Sequence, residues 1–225
     1  MNVDEYNKEL WSTWSIRKNL DLFPISNEFP LLIPTEPPKH AIAVVSMNPS
    51  LTQADKYNSL NKDLEPKKLK QALKLAQLEN YSKLRYFTEI KNFFDEENIS
   101  SRYLWFVDIF PIRHTKQKEV EKFLNKNSEL KEKFLQLFLK LMRAQDLSLI
   151  VILNAKASSY FHSNKLLKSN TFKSSSKINL SHSQFFMSDG QFVPIIFAGM
   201  ITGQGQMDIY SRSRLLDQIQ QLRKI

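Results

Sequence analysis

The sequence predicts an α/β protein, a three-layer α/β/α sandwich whose central, mainly parallel sheet has four strands. Four short apolar runs, rich in β-branched or aromatic residues, are typical of strands that are covered on both faces. Stretches with helical periodicity fill the gaps between them. Strands that alternate with helices form parallel sheets through right-handed crossovers. A chain of 225 residues can bury one sizeable core, so we expect a single domain over residues 1–225.

The elements follow in chain order. We expect residues 1–39 to form a helical lead-in, with a helix over residues 3–20, and a proline-rich connector over Phe29–Pro38. Apolar residues at helical spacing predict the later helices, and Pro66 suits the first turn of the first of them. The predicted strands are Ala41–Ser46, Tyr103–Phe110, Ser148–Leu153 and Val193–Ala198. The predicted helices are Pro66–Glu97, which can divide near Tyr81-Ser82, Ser128–Gln145 and Ser211–Arg223.

One region departs from this alternation. Residues 163–183 are rich in Ser, Lys and Asn, which predicts a mobile surface loop. Asp189-Gly190 then lies between two apolar runs, a strong hairpin signal. We therefore expect an antiparallel neighbour for the last parallel strand at one edge of the sheet. Pro194 suits an edge strand or the beginning of a strand.

Composition limits the classes of function. The chain has no Cys, and its four His residues show no metal-ligand spacing, so we expect no metal and no cofactor. The acidic N-terminus and the lack of a long apolar run predict no signal peptide and no membrane span. Because the chain has no Cys, a reducing cytoplasm is the simplest location, and we expect a monomer. The formal charge of +9 suits either a soluble protein from a Lys-rich proteome or a polyanion partner.

Ligands of open parallel sheets bind beyond the carboxyl ends of the strands. Three of the four Gly residues fall after the last strand, in Gly199–Gly205, which indicates close backbone approach or a tight turn. This loop lacks the Gly-Lys-Ser/Thr ending of a P-loop and the third Gly of a dinucleotide fold. The other strand ends carry Met47-Asn48-Pro49-Ser50, Asp108–Arg113 and Asn154-Ala155-Lys156.

The first strand, ending in Met47-Asn48-Pro49, resembles the uracil-DNA glycosylase superfamily, whose mismatch-directed and single-strand-selective branches carry Gly-Ile/Met-Asn-Pro-Gly there. The order of elements over residues 40–225 is also similar. The closing loop corresponds to the family's second motif, which presses into the DNA minor groove, although the usual His-Pro-Ser is absent. Ser46 and Ser50 replace Gly on both sides of the first motif.

The resemblance implies a chemistry for these residues. Asn48 would orient the water that attacks the sugar, with an Asx-type turn or helix cap as the alternative. Pro49 would fix the turn, and the neighbouring Met47 and Ser50 would line the pocket. Asp108 stands where the family often has a uracil-reading Asn. An ionised Asp offers only acceptors, so it would bind an amino-bearing base edge, act as general base, cap a helix or pair with Arg113.

Further residues complete the expected site. Asn154 is a substrate-binding candidate, and Tyr57, Tyr86 or Phe87 would stack on the flipped base. Met200 and Ile201 would be apolar wedges in DNA, or else core residues. Arg212 and Arg214, badly placed for the helix dipole, would face phosphates. The DNA-binding loop would comprise Gly199, Met200, Ile201, Thr202, Gly203 and Gln204.

The resemblance thus implies a DNA glycosylase that hydrolyses the N-glycosidic bond of a deaminated or damaged base in duplex or single-stranded DNA. Two alternatives stay open. One is a nucleic-acid-binding member of the same fold without catalysis. The other is an α/β enzyme that binds a small nucleotide or phosphate at Gly199–Gly205.

Overall fold

The structure is a computed structural model and describes residues 1–16, 30, 32–47, 69–70, 73, 85–96, 98–112, 117–163, 167–168, 182–201 and 207–223. Its helices are α1 (Val3–Ile16), α2 (Arg85–Glu96), α3 (Gln117–Lys126), α4 (Ser128–Arg143), α5 (Ala155–Ser163) and α6 (Ile209–Arg223), with a short 3₁₀ helix at Ser101–Tyr103. Its strands are β1 (Ala41–Ser46), β2 (Leu104–Asp108), β3 (Leu147–Ile152), β4 (Leu167–Lys168), β5 (His182–Phe186) and β6 (Phe192–Phe197).

The strands form one six-stranded sheet in the order β2-β1-β3-β6-β5-β4. The first four strands in this order are parallel, as the sequence predicts. Val44 of β1 pairs with Val151 of β3, and Ile150 of β3 pairs with Ile195 of β6. Because nearly every residue of β1 and β3 is buried, these strands read as continuous apolar runs without alternation.

The expected edge hairpin is present. Strands β5 and β6 pair antiparallel, with Phe185 opposite Val193. The turn between them is closed by Met187 N–H, which donates to Gln191 O at 2.9 Å, and it contains Gly190 at φ 86°. This left-handed conformation costs Gly little, so Asp-Gly is suited to the position.

Two details of this region differ from expectation. Residues 163–183 do not form only a loop, because Leu167–Lys168 is a two-residue strand that pairs with β5. Pro194 does not lie on an edge strand, since β6 has neighbours on both sides. The described pairing with β3 begins one residue later, at Ile195, so Pro194 interrupts no ladder on that side.

The chain divides into two compact units. The first unit comprises Met1–Glu36, Met47–Tyr81 and Asp108–Met142, and the second comprises Pro37–Ser46, Ser82–Val107 and Arg143–Ile225. The sheet belongs almost entirely to the second unit.

The second unit contains three layers. On one face of its sheet, apolar side chains of α2 and α6 share a core with Ile42 and Val151. On the other face, Phe161 of α5 lies 6.5 Å from Phe197 and 6.2 Å from Phe185 between ring centroids. Burial of large apolar side chains on both faces stabilises the sheet by roughly 2 kcal/mol per side chain. The α/β/α arrangement predicted from the sequence is therefore confirmed.

In the first unit, α1 is fixed at its beginning and along its buried side. Asn2 Oδ1 accepts a hydrogen bond from Glu5 N–H at 2.8 Å while Glu5 Oε2 accepts one from Asn2 N–H at 3.1 Å, which is a capping box. Further along the helix, the buried Asn7 side chain makes two hydrogen bonds with the backbone of Ile33. A side-chain amide can replace one strand partner in this way, so the backbone at Ile33 is fixed to α1.

Helix predictions were right where the apolar stripe is long. Ser128–Gln145 appears as α4, Ser211–Arg223 as α6, and residues 3–16 of the lead-in as α1. The end of Pro66–Glu97 appears as α2, whereas Tyr81-Ser82 lies outside the described residues. Helices α3 and α5 were not predicted, because the first has only three buried apolar residues among charged ones and the second is short and Ser-rich.

Candidate functional site

Residues that follow β1 and β2 in the chain are hydrogen-bonded to each other within the first unit. Met47 O accepts a hydrogen bond from Phe110 N–H at 2.9 Å, so the residue before Asn48 is fixed to a residue two positions after Asp108. Asn48, Pro49 and Ser50 lie outside the described residues. Met47 itself is fully buried, so its side chain packs in the core and does not line a pocket as predicted.

Asp108 is half-buried at the end of β2 and has a neighbour that the sequence did not indicate. Tyr6 of α1 is buried, and both residues belong to the first unit. Burial raises the pKa of the Tyr6 phenol well above its usual range, and the nearby Asp108 carboxylate raises it further. The phenol therefore stays neutral at physiological pH. Tyr6 could have been placed on a buried helical face together with Val3 and Leu10, but no sequence pattern relates it to Asp108.

Asn154 follows β3 and caps α5. Its Oδ1 accepts hydrogen bonds from Lys156 N–H at 2.9 Å and from Ala157 N–H at 3.1 Å. These are two of the helix's first N–H groups, which have no partner within the helix. Asn154 is also buried, so its carbonyl oxygen serves the fold. The predicted substrate contact would have to come from its Nδ2 group.

Met200, in the segment after β6, lies close to Met207, the residue that precedes Asp208. Met207 N–H donates to Met200 O at 2.7 Å. A Cβ at Gly199 would lie 2.8 Å from Met207 Cγ, closer than side chains tolerate. A side chain at Gly199 would therefore require Met207 to shift, which agrees with close approach, one of the two explanations that the sequence suggested for this Gly-rich loop.

Met200 is half-buried, but Ile201 is 2% exposed and belongs to the core shared with α6. An apolar wedge must reach into DNA, so Ile201 does not occupy a wedge position in this structure, and its alternative as a core residue is the correct one. Thr202, Gly203 and Gln204 lie outside the described residues.

The beginning of α6 accounts for its two basic residues. Arg212 Nη2 donates to Ile201 O, and Arg214 Nη2 donates to Ser211 Oγ at 2.8 Å. Asp208 caps the helix, since its carboxylate accepts hydrogen bonds from Ser211 N–H and Ser211 Oγ–H. These bonds lower the pKa of Asp208. Arg212 is half-buried and bonded to the backbone, whereas Arg214 is exposed, so Arg214 is the better placed of the two for a phosphate.

Phe87, the predicted stacking residue, packs within the second unit. Its ring lies 4.6 Å from that of Phe106, edge to face, and it is half-buried. This contact is typical of a core pair. Tyr57 lies outside the described residues, and the side chain of Tyr86 is not described.

Two residues at the beginning of α6 were missed. Ile209 and Tyr210 are 76% and 77% exposed, and among the described residues the only other exposed large apolar side chain is Phe192 at 38%. The signal was present in the sequence. Tyr210 has the same helical phase as the exposed Arg214, Asp217 and Gln221, a stripe that is otherwise polar.

No protein-family model matches the sequence, and no match was found among curated proteins. The resemblance to the uracil-DNA glycosylase superfamily therefore depends on a short motif and on the order of elements. Within the described part of the chain, none of the helices combines the length and apolar character needed to cross a membrane. The described residues also contain no cluster of three metal-binding side chains.

Proposed function

We propose that the chain is a DNA glycosylase-like protein that hydrolyses the N-glycosidic bond of a deaminated or damaged base. The observation that carries the proposal is the hydrogen bond from Phe110 N–H to Met47 O. It joins the residue before Asn48 to the segment that begins with Asp108, and both follow the carboxyl ends of strands in the chain, where α/β folds bind ligands. An amide and a carboxylate at neighbouring strand ends suit a hydrolysis in which one group orients a water and the other accepts a proton or reads the base.

The chemistry follows from the two groups. Breaking the N-glycosidic bond builds positive charge on the sugar, and water attacks the anomeric carbon. Asn48 can orient that water but is a poor base, whereas an ionised Asp108 can accept its proton or bind an amino-bearing base edge. The buried, neutral Tyr6 phenol near Asp108 adds no second negative charge.

Base release tests the proposal. Oligonucleotides with a single uracil, hypoxanthine, xanthine or hydroxymethyluracil are incubated with the protein and then treated with alkali, which cuts the strand at an abasic site. We expect scission with at least one of them, and loss of scission in Asn48→Ala. Asn92→Ala is the matched control, because Asn92 is exposed on α2. No scission together with salt-sensitive DNA binding would favour a non-catalytic binding protein.

Asp108→Asn separates the two roles of that residue. If Asp108 accepts the proton from water, the variant loses activity on every base, by roughly 10²-fold or more. If it reads the base edge, the variant gains a donor, and we expect activity to move toward uracil. Unchanged rates and unchanged base preference would remove Asp108 from the site. Circular dichroism of each variant shows whether the fold is kept.

A further inference from the structure

We propose that the exposed pair Ile209-Tyr210 and the neighbouring Arg214 form a surface that binds single-stranded DNA, with the Tyr210 ring stacked on an unpaired base. The proposal rests on the proposed DNA partner but not on base excision. It assigns the apolar contact with DNA to α6 and not to Ile201, which is buried.

Exposure is the first argument. Large apolar side chains lose favourable burial when they stand in water, and these two are adjacent and more than three-quarters exposed. Their backbone is well fixed, since Asp208 caps the helix, and the Met207–Met200 and Arg212–Ile201 hydrogen bonds hold its beginning to the segment after β6. An aromatic ring on a fixed helical turn loses little conformational entropy on binding.

Area and charge favour a base as the occupant. A stable protein interface buries about 800 Å² on each partner and involves about 20 to 30 residues. Among the described residues, two apolar side chains next to Ser211, Arg214 and Asp217 do not provide that. One ring can stack on one base, which contributes about fivefold to 150-fold in affinity. Arg214 lies one helical turn after Tyr210 on the same stripe, where it can contact the adjoining phosphate, and the chain carries a formal charge of +9.

The exposed Asp208 and Asp217 carboxylates oppose phosphate binding on this stripe. The hydrogen bonds from Ser211 lower the pKa of Asp208, so this carboxylate stays ionised and repels phosphate at the beginning of α6. The arrangement thus favours a base stacked on the Tyr210 ring, with the sugar-phosphate backbone of the DNA displaced toward Arg214. It does not favour a DNA strand that runs along the whole helix.

The test measures the Kd of a fluorescein-labelled oligothymidylate, and of an abasic oligonucleotide of equal length, by fluorescence anisotropy. We expect Tyr210→Ala to raise the Kd for oligothymidylate by about fivefold to 150-fold and to change the Kd for the abasic strand little. Tyr210→Phe retains the ring and should bind like the wild type. Phe192→Ala is the control, because Phe192 is exposed at the other end of β6 and should not matter. Arg214→Gln should make the slope of log K for association against log salt concentration less steep by about 0.7.

Three results would overturn the inference. Tyr210→Ala could bind oligothymidylate as tightly as the wild type. It could also bind oligothymidylate and the abasic oligonucleotide more weakly by the same factor, which would exclude stacking. Alternatively, light scattering could show a dimer that Tyr210→Ala dissociates, with DNA binding unchanged, which would make the surface a self-association site. Base excision is scored separately by alkaline scission. The glycosylase proposal can therefore fail while DNA binding through Tyr210 stands, and the reverse also holds.

Discussion

Replacement of Asn7 by Ala should destabilise the protein more than any other single change on the polar positions of α1. The Asn7 side chain is 1% exposed. Its Nδ2 donates to Ile33 O at 2.7 Å, and its Oδ1 accepts from Ile33 N–H at 3.0 Å. Ile33 is itself buried, so truncation leaves a backbone donor and a backbone acceptor without partners and without ready access to water.

The magnitude follows from those two groups. Each buried polar group that loses its partner costs about 1 to 3 kcal/mol, so Asn7→Ala should lower the free energy of unfolding by about 2 to 6 kcal/mol. With an m-value of about 2 kcal/mol/M, the urea midpoint should fall by about 1 to 3 M. The measurement is urea unfolding followed by far-UV circular dichroism.

Two variants calibrate this result. Lys8→Ala, at the exposed next position of α1, should change the free energy of unfolding by less than about 0.5 kcal/mol. Asn2→Ala removes the exposed cap and should cost about 1 kcal/mol. If Asn7→Ala proved no more costly than Asn2→Ala, the two hydrogen bonds to Ile33 would not stabilise the fold as argued, and the reasoning would be refuted.

Two further predictions concern Gly199 and Tyr6. Gly199→Ala should destabilise the protein by about 1 to 3 kcal/mol, because the new methyl group overlaps Met207, and the cost should be smaller in a Met207→Ala background. The measurement is thermal unfolding of the wild type, the two single variants and the double variant. An equal cost of Gly199→Ala in both backgrounds would contradict the contact. Because the folded state raises the Tyr6 pKa above its ordinary 10.0, the stability that this phenol contributes is complete below pH 10.0 and is lost as the pH rises through the folded pKa. Tyr6→Phe should therefore show a smaller fall in Tm between neutral and alkaline buffer, and an unchanged fall would argue against a buried phenol.

The parallel strands could be predicted from the sequence because burial on both faces requires a continuous apolar run, which is a local pattern. Ala41–Ser46 was predicted with the bounds that the structure has, and the other three parallel strands differ by one or two residues at their ends. The Asp-Gly turn was equally local, since its conformation is a property of two residues. Helix α5 has no long apolar stripe in its sequence, and the Asn154 cap defines its beginning, so no local pattern predicted it.

The site was harder to predict because its decisive contacts join distant segments. Whether Ile201 packs inward or projects outward depends on the position of α6, which no local pattern contains. The partner of Arg212 is a backbone carbonyl, and every residue offers one. Tyr6 and Asp108 are separated by more than one hundred positions in the chain, and only the fold brings them near each other.

The Met207–Met200 hydrogen bond has a consequence for protein engineering. It fixes two backbone positions that flank residues 201–206, and both are anchored independently, one by β6 and the other by the cap of α6. Closing a loop between fixed ends costs little more when residues are added, since each doubling of length adds only about 0.6 kcal/mol. Insertions between Ile201 and Met207 should therefore cost little stability, with Ile201 retained. The spacing of these two anchored positions in the chain is thus open to engineering.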